Sequence, residues 1–471
     1  ARTSHRTRMA AASIATARIA ALPATTARHR RRRIHRAQAI RAQAASPRRE
    51  GDVDGTPTTK MPLEGTAPTV MPSRRAALLS AAAASSIILP GTPSLAIPSY
   101  NVTLAKLDKE ARDKASSITV VTPEEQKAAT KKIYKGLAAQ GEVLTPVGDG
   151  SISLSPMGIG TWSWGNQFVW GYDESMDPEL ARVFNEAVES GINVFDTADS
   201  YGTGNGLDGR SEVLIGQFLR QCPSAKVDGV NIATKFAAYP WRITPGSVVQ
   251  AAKESCARLG KESIELGQLH WSTGNYQPLQ ERALWGGIAD AYDEGYIKAI
   301  GLSNYGPKQL RKIHKYMSSR GVPIATLQVQ YHLLSRFPEV NGTRETCDEL
   351  GIRTIAYSPL ALGLLTGKYS VDNPPPGLRG FAYKDVLPPL PGLLDCMKAV
   401  AEERNKTLPQ VAINWCLCKD TTPIPGVKSM RQLDDNLGAL GWRLSEGEVA
   451  ELDAAAEKVG KSTSQNIFQT A

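Results

Sequence analysis

The sequence predicts an α/β chain built around a (β/α)8 barrel, with a helical extension and a targeting segment in front of it. Three observations carry that expectation. From Ser155 onward, short apolar runs rich in Ile, Val and Leu alternate with longer amphipathic runs. Eight such pairs fit into about 290 residues, which suits a barrel better than an open doubly wound sheet. The apolar runs also end in polar or titratable residues, as a site on the C-terminal rim of a barrel requires.

In chain order, residues 1–96 come first. They hold 16 Lys and Arg against 4 Asp and Glu, with no acidic residue before Glu50 and no aromatic one before Tyr100. Since the whole chain carries +9, the remainder is slightly acidic, and the basic character belongs to this segment. Such a composition buries no core. It reads as an organelle transit peptide with Met9 as a candidate start, and the plastid is the expected destination. Arg28 to Arg33 could instead bind nucleic-acid phosphates, but no aromatic residues are interleaved to stack on bases. Arg74-Arg75, the apolar run Ala76 to Leu89 and Ser94-Leu95-Ala96 look like a twin-arginine signal, which would direct the chain to the thylakoid lumen. The apolar run is too short to span a bilayer. The need for a reduced nucleotide, argued below, favours the stroma.

Residues 97–150 form the predicted extension. Thr122-Pro123-Glu124-Glu125 is a capping box opening a helix to about Gln140, and a hairpin is expected around Asp149-Gly150. The barrel then occupies 151–471. Its strands are expected at 157–161, 193–196, 231–235, 264–270, 298–302, 325–330, 353–357 and 422–424. Its helices are expected at 178–190, 211–221, 245–259, 278–294, 307–319, 343–350, 410–419 and 430–440, several with Pro in the first turn. The six cysteines are scattered, and Cys416-Leu417-Cys418 on a helix would point its thiols apart. Buried thiols are expected rather than a disulfide or a metal site.

The strand ends supply Asp196, Lys235, His270, Ser303 with Asn304, Gln328, and Tyr357 with Ser358. Together with "NVFDTADSYGTG", "GRSEVLIGQFL", "IATKF", "LHW", "GLSN", "QVQYHLLSR", "AYSPLALGLL" and "IPGVKSMRQLDDNLGAL", they make the chain resemble the aldo-keto reductases from about Gly158 to Leu440. The resemblance implies NADPH-dependent reduction of an aldehyde or ketone to an alcohol, without metal or flavin. A runner-up implication is a non-catalytic NADP(H)-binding regulatory subunit of the same fold.

Carbonyl reduction by hydride builds negative charge on the carbonyl oxygen and needs a proton donor. Tyr201 would donate, Lys235 would lower the Tyr201 pKa, Asp196 would hold Lys235, and His270 would hydrogen-bond the same oxygen. Each alone is weak, since a lone Asp is usually a cap and a lone His a core residue. Four in order at successive strand ends favour catalysis.

For the cofactor, the resemblance assigns Ser303, Asn304 and Gln328 to the nicotinamide amide and Tyr357 to stacking on its ring. Gly160, Thr161, Trp162, Ser358, Leu360, Gly426 and Val427 fall at further cofactor positions. Lys428 would read the 2′-phosphate at a helix N-terminus with free N–H groups, and Asp435 and Asn436 the adenine edge. Gln432 stands where many relatives have Lys or Arg, a departure that leaves one phosphate contact open.

Three patterns are decoys. Gly204-x-Gly206-x-x-Gly209 lies too far beyond its strand for a dinucleotide fingerprint. The glycines of Gly363 to Lys368 are too close for a Walker loop, and a flap over the cofactor is expected there. Gly301 to Gly306 is too long for a nucleophile elbow. The Pro-rich stretch 372–392 is expected as an ordered loop on the substrate side. Two facing carboxylates, which a glycosidase needs, are missing from the predicted rim. Trp162, Trp164, Trp170, Trp241 and Trp271 are candidates for an apolar pocket, which aromatic, aliphatic or pyridoxal-like aldehydes would suit. A small-molecule partner and a monomer are expected.

Overall fold

The structure, a computed structural model, describes residues 141–204, 206–222, 227–463 and 469–470. The targeting segment 1–96 and the helix expected from 122 to 140 lie outside them. Among the described residues, eight parallel strands follow one another around a single sheet: β3 (Ile159–Gly160), β4 (Val194–Asp196), β5 (Asn231–Phe236), β6 (Ile264–Leu269), β7 (Ile297–Ser303), β8 (Ile324–Gln330), β9 (Arg353–Tyr357) and β10 (Thr422–Ile424). The ring closes where Gly160 pairs with Gly426 and where Gly158 and Gly160 donate their N–H groups to Pro423 and Pro425. Gly158 is required here, because an added Cβ would meet Val194 at 2.9 Å.

Before the barrel, β1 (Thr145–Val147) and β2 (Ile152–Leu154) form the hairpin expected around Asp149-Gly150. Its Val147, Ile152 and Leu154 pack with Val194, Ala233, Leu266, Ala299, Ala325, Ile355 and Ile424 into one buried apolar cluster. Alternation along a strand sends these residues to the barrel interior. The hairpin therefore plugs one end, leaving the C-terminal rim for polar groups. A larger cluster fills the space between strands and helices, around Trp164, Phe184, Phe195, Phe218, Tyr331 and Trp415.

The helices expected between strands are present within one to three residues at their ends. Besides short helices in the loops, two long helices were not foreseen. Pro391–Glu403 follows the Pro-rich stretch, and Glu446–Lys458 follows the eighth unit; they pack together outside the repeat. Both carry readable start signals: Pro391 in the first turn, and a capping box between Ser445 and Glu448. Strand register sets the rim. Gly160 lies beside Asp196, Lys235 beside Gln268, and Ser303 beside Gln328.

Candidate active site

Lys235 is the centre of the site, 1% exposed on β5. Its Nζ donates to Asp196 Oδ1 at 2.5 Å, to the Thr197 carbonyl at 2.9 Å and to Tyr201 Oη at 3.2 Å. A buried ammonium needs such a partner set, since unpaired burial is expensive. Burial pulls the Lys235 pKa down, but Asp196 and Tyr201 outweigh it and hold the side chain charged. The other oxygen of Asp196 accepts from Gln268 Nε2 at 3.1 Å and Gln328 Nε2 at 2.6 Å.

Tyr201 rides on the loop after β4, turned by Gly202 at φ 128°. Its ring sits against the ammonium, 4.7 Å from Nζ to the centroid. Here the expected direction of the Tyr201 pKa is corrected. Burial raises it, Lys235 lowers it and Asp196 raises it again, so the net position is above the ordinary phenol value. The hydroxyl holds its proton at neutral pH, as a donor must.

His270, half-buried after β6, stands edge-to-face with Tyr201 at 5.8 Å between ring centres. Burial, then Lys235 and Arg242, push its pKa well below the ordinary histidine value, so the ring is neutral. Its Nδ1 lies 3.4 Å from the Ser200 hydroxyl. If Ser200 donates there, the proton sits on Nε2 and is available to a substrate oxygen.

Around the rim, Asn304 (φ 61°) and Ser358 (φ 53°) hold left-handed backbone, a conformation that clusters at functional sites. Asn304 Nδ2 donates to the His270 carbonyl and to Ser303 Oγ, while its Oδ1 accepts from the Tyr357 hydroxyl at 3.0 Å. These four residues form one connected edge. Gln328 donates from its amide nitrogen to Asp196 at 2.6 Å. Thr161 is fully buried and bonds the Asp196 carbonyl and Ser211, tying β3 to β4 rather than facing the mouth. Trp162 is half-buried, edge-to-face with Trp170 at 5.5 Å. Leu360 is half-buried beside the 3-10 stretch Ala361–Thr366.

At the far side, Val427 accepts the indole N–H of Trp164, a core tryptophan rather than a pocket wall. Two of the N–H groups in the first turn of the helix Met430–Leu437, and one just before it, are taken. Glu179 accepts from Met430, Ser429 from Gln432, and Gln432 Oε1 from the Lys428 amide. Gln432 is thus a loop-closing residue. Asp435 accepts from Thr407 and Gln410, holding the neighbouring helix, and Asn436 is buried. Lys428 is half-buried and reaches the Trp170 carbonyl at 3.4 Å.

Sequence reasoning missed Gln268, a strand-interior amide with no motif around it, and Arg379. The latter lies in the Pro-rich stretch, which comes to Trp170 on the Lys428 side rather than on the expected substrate side. His332, just after β8, is buried against Gln330 and Thr463 and accepts from the Leu334 amide.

The aldo/keto reductase family model matches residues 156–457, the whole barrel. The chain belongs to the aldo/keto reductase family. This reductase is 54% identical over 323 residues to a chloroplastic pyridoxal reductase of Arabidopsis thaliana, across 68% of this chain and 88% of that protein. It is 32% identical to an aldo-keto reductase of Strobilurus tenacellus, across 70% and 92%. Among solved structures, a thermostable aldo-keto reductase in complex with epalrestat superposes with a TM-score of 0.53 at 25% identity, covering 66% of this chain and 99% of that one. The reductase is accordingly an oxidoreductase acting on carbonyl compounds.

Proposed function

We propose that the reductase converts an aldehyde to a primary alcohol with NADPH, and that Tyr201 delivers the proton. The observation that carries this reading is the buried Asp196–Lys235–Tyr201 chain at the rim, with a phenol that keeps its proton. In this scheme bound NADPH supplies the hydride. The Tyr201 hydroxyl donates to the carbonyl oxygen as negative charge grows on it, Lys235 stabilises the resulting phenolate, and neutral His270 orients the same oxygen through Nε2–H. Asp196, clamped by Gln268 and Gln328, keeps the ammonium in line.

The residues present suit a phosphorylated nicotinamide nucleotide. The Asn304–Tyr357 edge presents an amide and a ring at the rim. Near Lys428, the Trp170 Nε1–H is buried without an acceptor. NADP(H) is therefore the proposed cofactor, and equal turnover with NADH and NADPH would refute the role of Lys428. The pyridoxal reductase relative supports a pyridine aldehyde as substrate, and the acid-poor N-terminal segment supports the chloroplast. The test is a panel of carbonyl compounds, pyridoxal among them, with NADPH oxidation as readout. Turnover fastest on pyridoxal is expected; no oxidation with any carbonyl would refute the assignment.

A further inference from the structure

Glu281 lies in the first turn of the helix Pro278–Asp293, 3% exposed, and has no part in the chemistry above. Among the described residues the other buried carboxylates, Glu142, Asp196, Glu212 and Glu265, each pair with a Lys or Arg. Glu281 is held by neutral donors instead. Its Oε1 accepts from Ser272 Oγ at 2.8 Å, Trp285 Nε1 at 3.1 Å and Gln309 Nε2 at 3.4 Å. Its Oε2 accepts from the Thr273 amide at 2.5 Å and from Thr273 Oγ1 at 3.0 Å. A buried charge is costly unless its hydrogen bonds are made, and a carboxylate takes more donors than an amide can.

These donors sit behind the rim. Ser272 and Thr273 stand two and three residues past His270, on the loop after β6. Trp285 Nε1 also reaches Tyr305 Oη at 3.4 Å, and Tyr305 follows Asn304 on the loop after β7. Burial and then Glu281 raise the Tyr305 pKa well above the ordinary phenol value, so its hydroxyl keeps its proton. Where the two loops meet, Asn304 Nδ2 donates to the His270 carbonyl at 3.1 Å. One carboxylate therefore closes a ring that runs through Thr273 and His270 on one side and Tyr305 and Asn304 on the other. The imidazole itself holds Ser200 at a long 3.4 Å, so its aim rests on the backbone beneath it.

We propose that Glu281 is a positioning residue: it fixes the backbone after β6 and so aims the His270 ring at the substrate oxygen. This rests on the reading above that His270 orients that oxygen. A glutamine here would turn its NH2 either toward the Thr273 amide or toward the Trp285 indole. Neither N–H can rotate into an acceptor, so the loop shifts. A misplacement of about 1 Å in an active site can cost on the order of 10²-fold in rate.

The experiment is a kinetic double-mutant cycle on the full chain: wild type, Glu281→Gln, His270→Gln and the double variant. The substrates are NADPH and pyridoxal, or the fastest carbonyl of the panel above, with NADPH affinity by fluorescence titration and circular dichroism as the folding control. Glu281→Gln should lower kcat by about 10- to 100-fold, with KM and NADPH affinity within about threefold of wild type. Once His270 is replaced there is no ring left to aim, so adding Glu281→Gln to His270→Gln should cost less than about threefold. Ser272→Ala removes a single donor from the loop side. It should show the same coupling with a smaller loss, and it carries the test if Glu281→Gln does not fold. A kcat for Glu281→Gln within about twofold of wild type, or losses that multiply in the double variant, would overturn the proposal and leave the catalytic reading standing. A His270→Gln variant as active as wild type, or a wild type that reduces no carbonyl, would instead refute the reading of the site and this inference with it.

Discussion

Replacing Asp196 by Asn removes one charge and little volume from the most buried ion pair in the site. The carboxylate, 3% exposed, serves two clients at once: Lys235 through Oδ1, and Gln268 and Gln328 through Oδ2. An amide has one acceptor oxygen, so it faces its NH2 either to the ammonium or to two other amide donors. Lys235 keeps the Thr197 carbonyl and the Tyr201 hydroxyl. Burial then becomes the leading influence and lowers its pKa. Removing one partner of a buried pair costs about 3–5 kcal/mol. At roughly 2–4 °C per kcal/mol for a domain of this size class, Tm should fall on the order of 10 °C. The assay is thermal and urea unfolding of Asp196→Asn, Lys235→Met and the double variant. With no uncompensated charge left, the loss in the double variant should be smaller than the sum of the single losses by at least about 2 kcal/mol. A single variant within about 1 kcal/mol of wild type, or strictly additive losses, would refute the assignment of a strongly coupled buried pair.

Three further outcomes follow from the same structure. His332 is held neutral by burial, its pKa lowered from 6.5 to about 3. The unfolded chain takes up the proton first as pH falls, so stability is present above about pH 6.5 and drops by about 2 kcal/mol at pH 5; urea titrations should show this slope shrinking in His332→Gln. Gly202→Ala should abolish turnover, because the loop carrying Tyr201 needs φ 128° there and a Cβ would strike the Leu207 carbonyl; activity near wild type would contradict the loop geometry. Cys256, Cys347 and Cys416 are buried with thiol pKa values pushed up by burial, so a disulfide reagent at neutral pH should label Cys396 and Cys418 first and reach the other four thiols only on unfolding.

The barrel was legible because short, largely apolar runs recur eight times, each followed by an amphipathic run, and several of the helices begin at a Pro. The two long helices Pro391–Glu403 and Glu446–Lys458 escaped because they lie outside that repeat. Asp196, Lys235 and His270 were legible as polar residues at strand ends, whereas Tyr201, on the loop after β4, was picked out by the family motif. The direction of the Tyr201 pKa was not, because burial outweighs the neighbouring ammonium and burial is a property of the folded rim. Gln328 and Asp435 were assigned to the cofactor by motif. Their side chains bond Asp196 and the Thr407 turn, contacts made across long stretches of chain that spacing does not reveal. Arg379 was hidden for the same reason, since nothing in a Pro-rich loop says which indole it will cover.

The most direct test of the account is Tyr201→Phe, which removes one hydroxyl and keeps the ring beside Lys235. Carbonyl reduction should fall by about 10²–10⁴-fold in kcat/KM, with NADPH affinity by fluorescence titration within about twofold of wild type. Undiminished turnover in the phenylalanine variant would contradict Tyr201 as the proton donor, and with it the central claim.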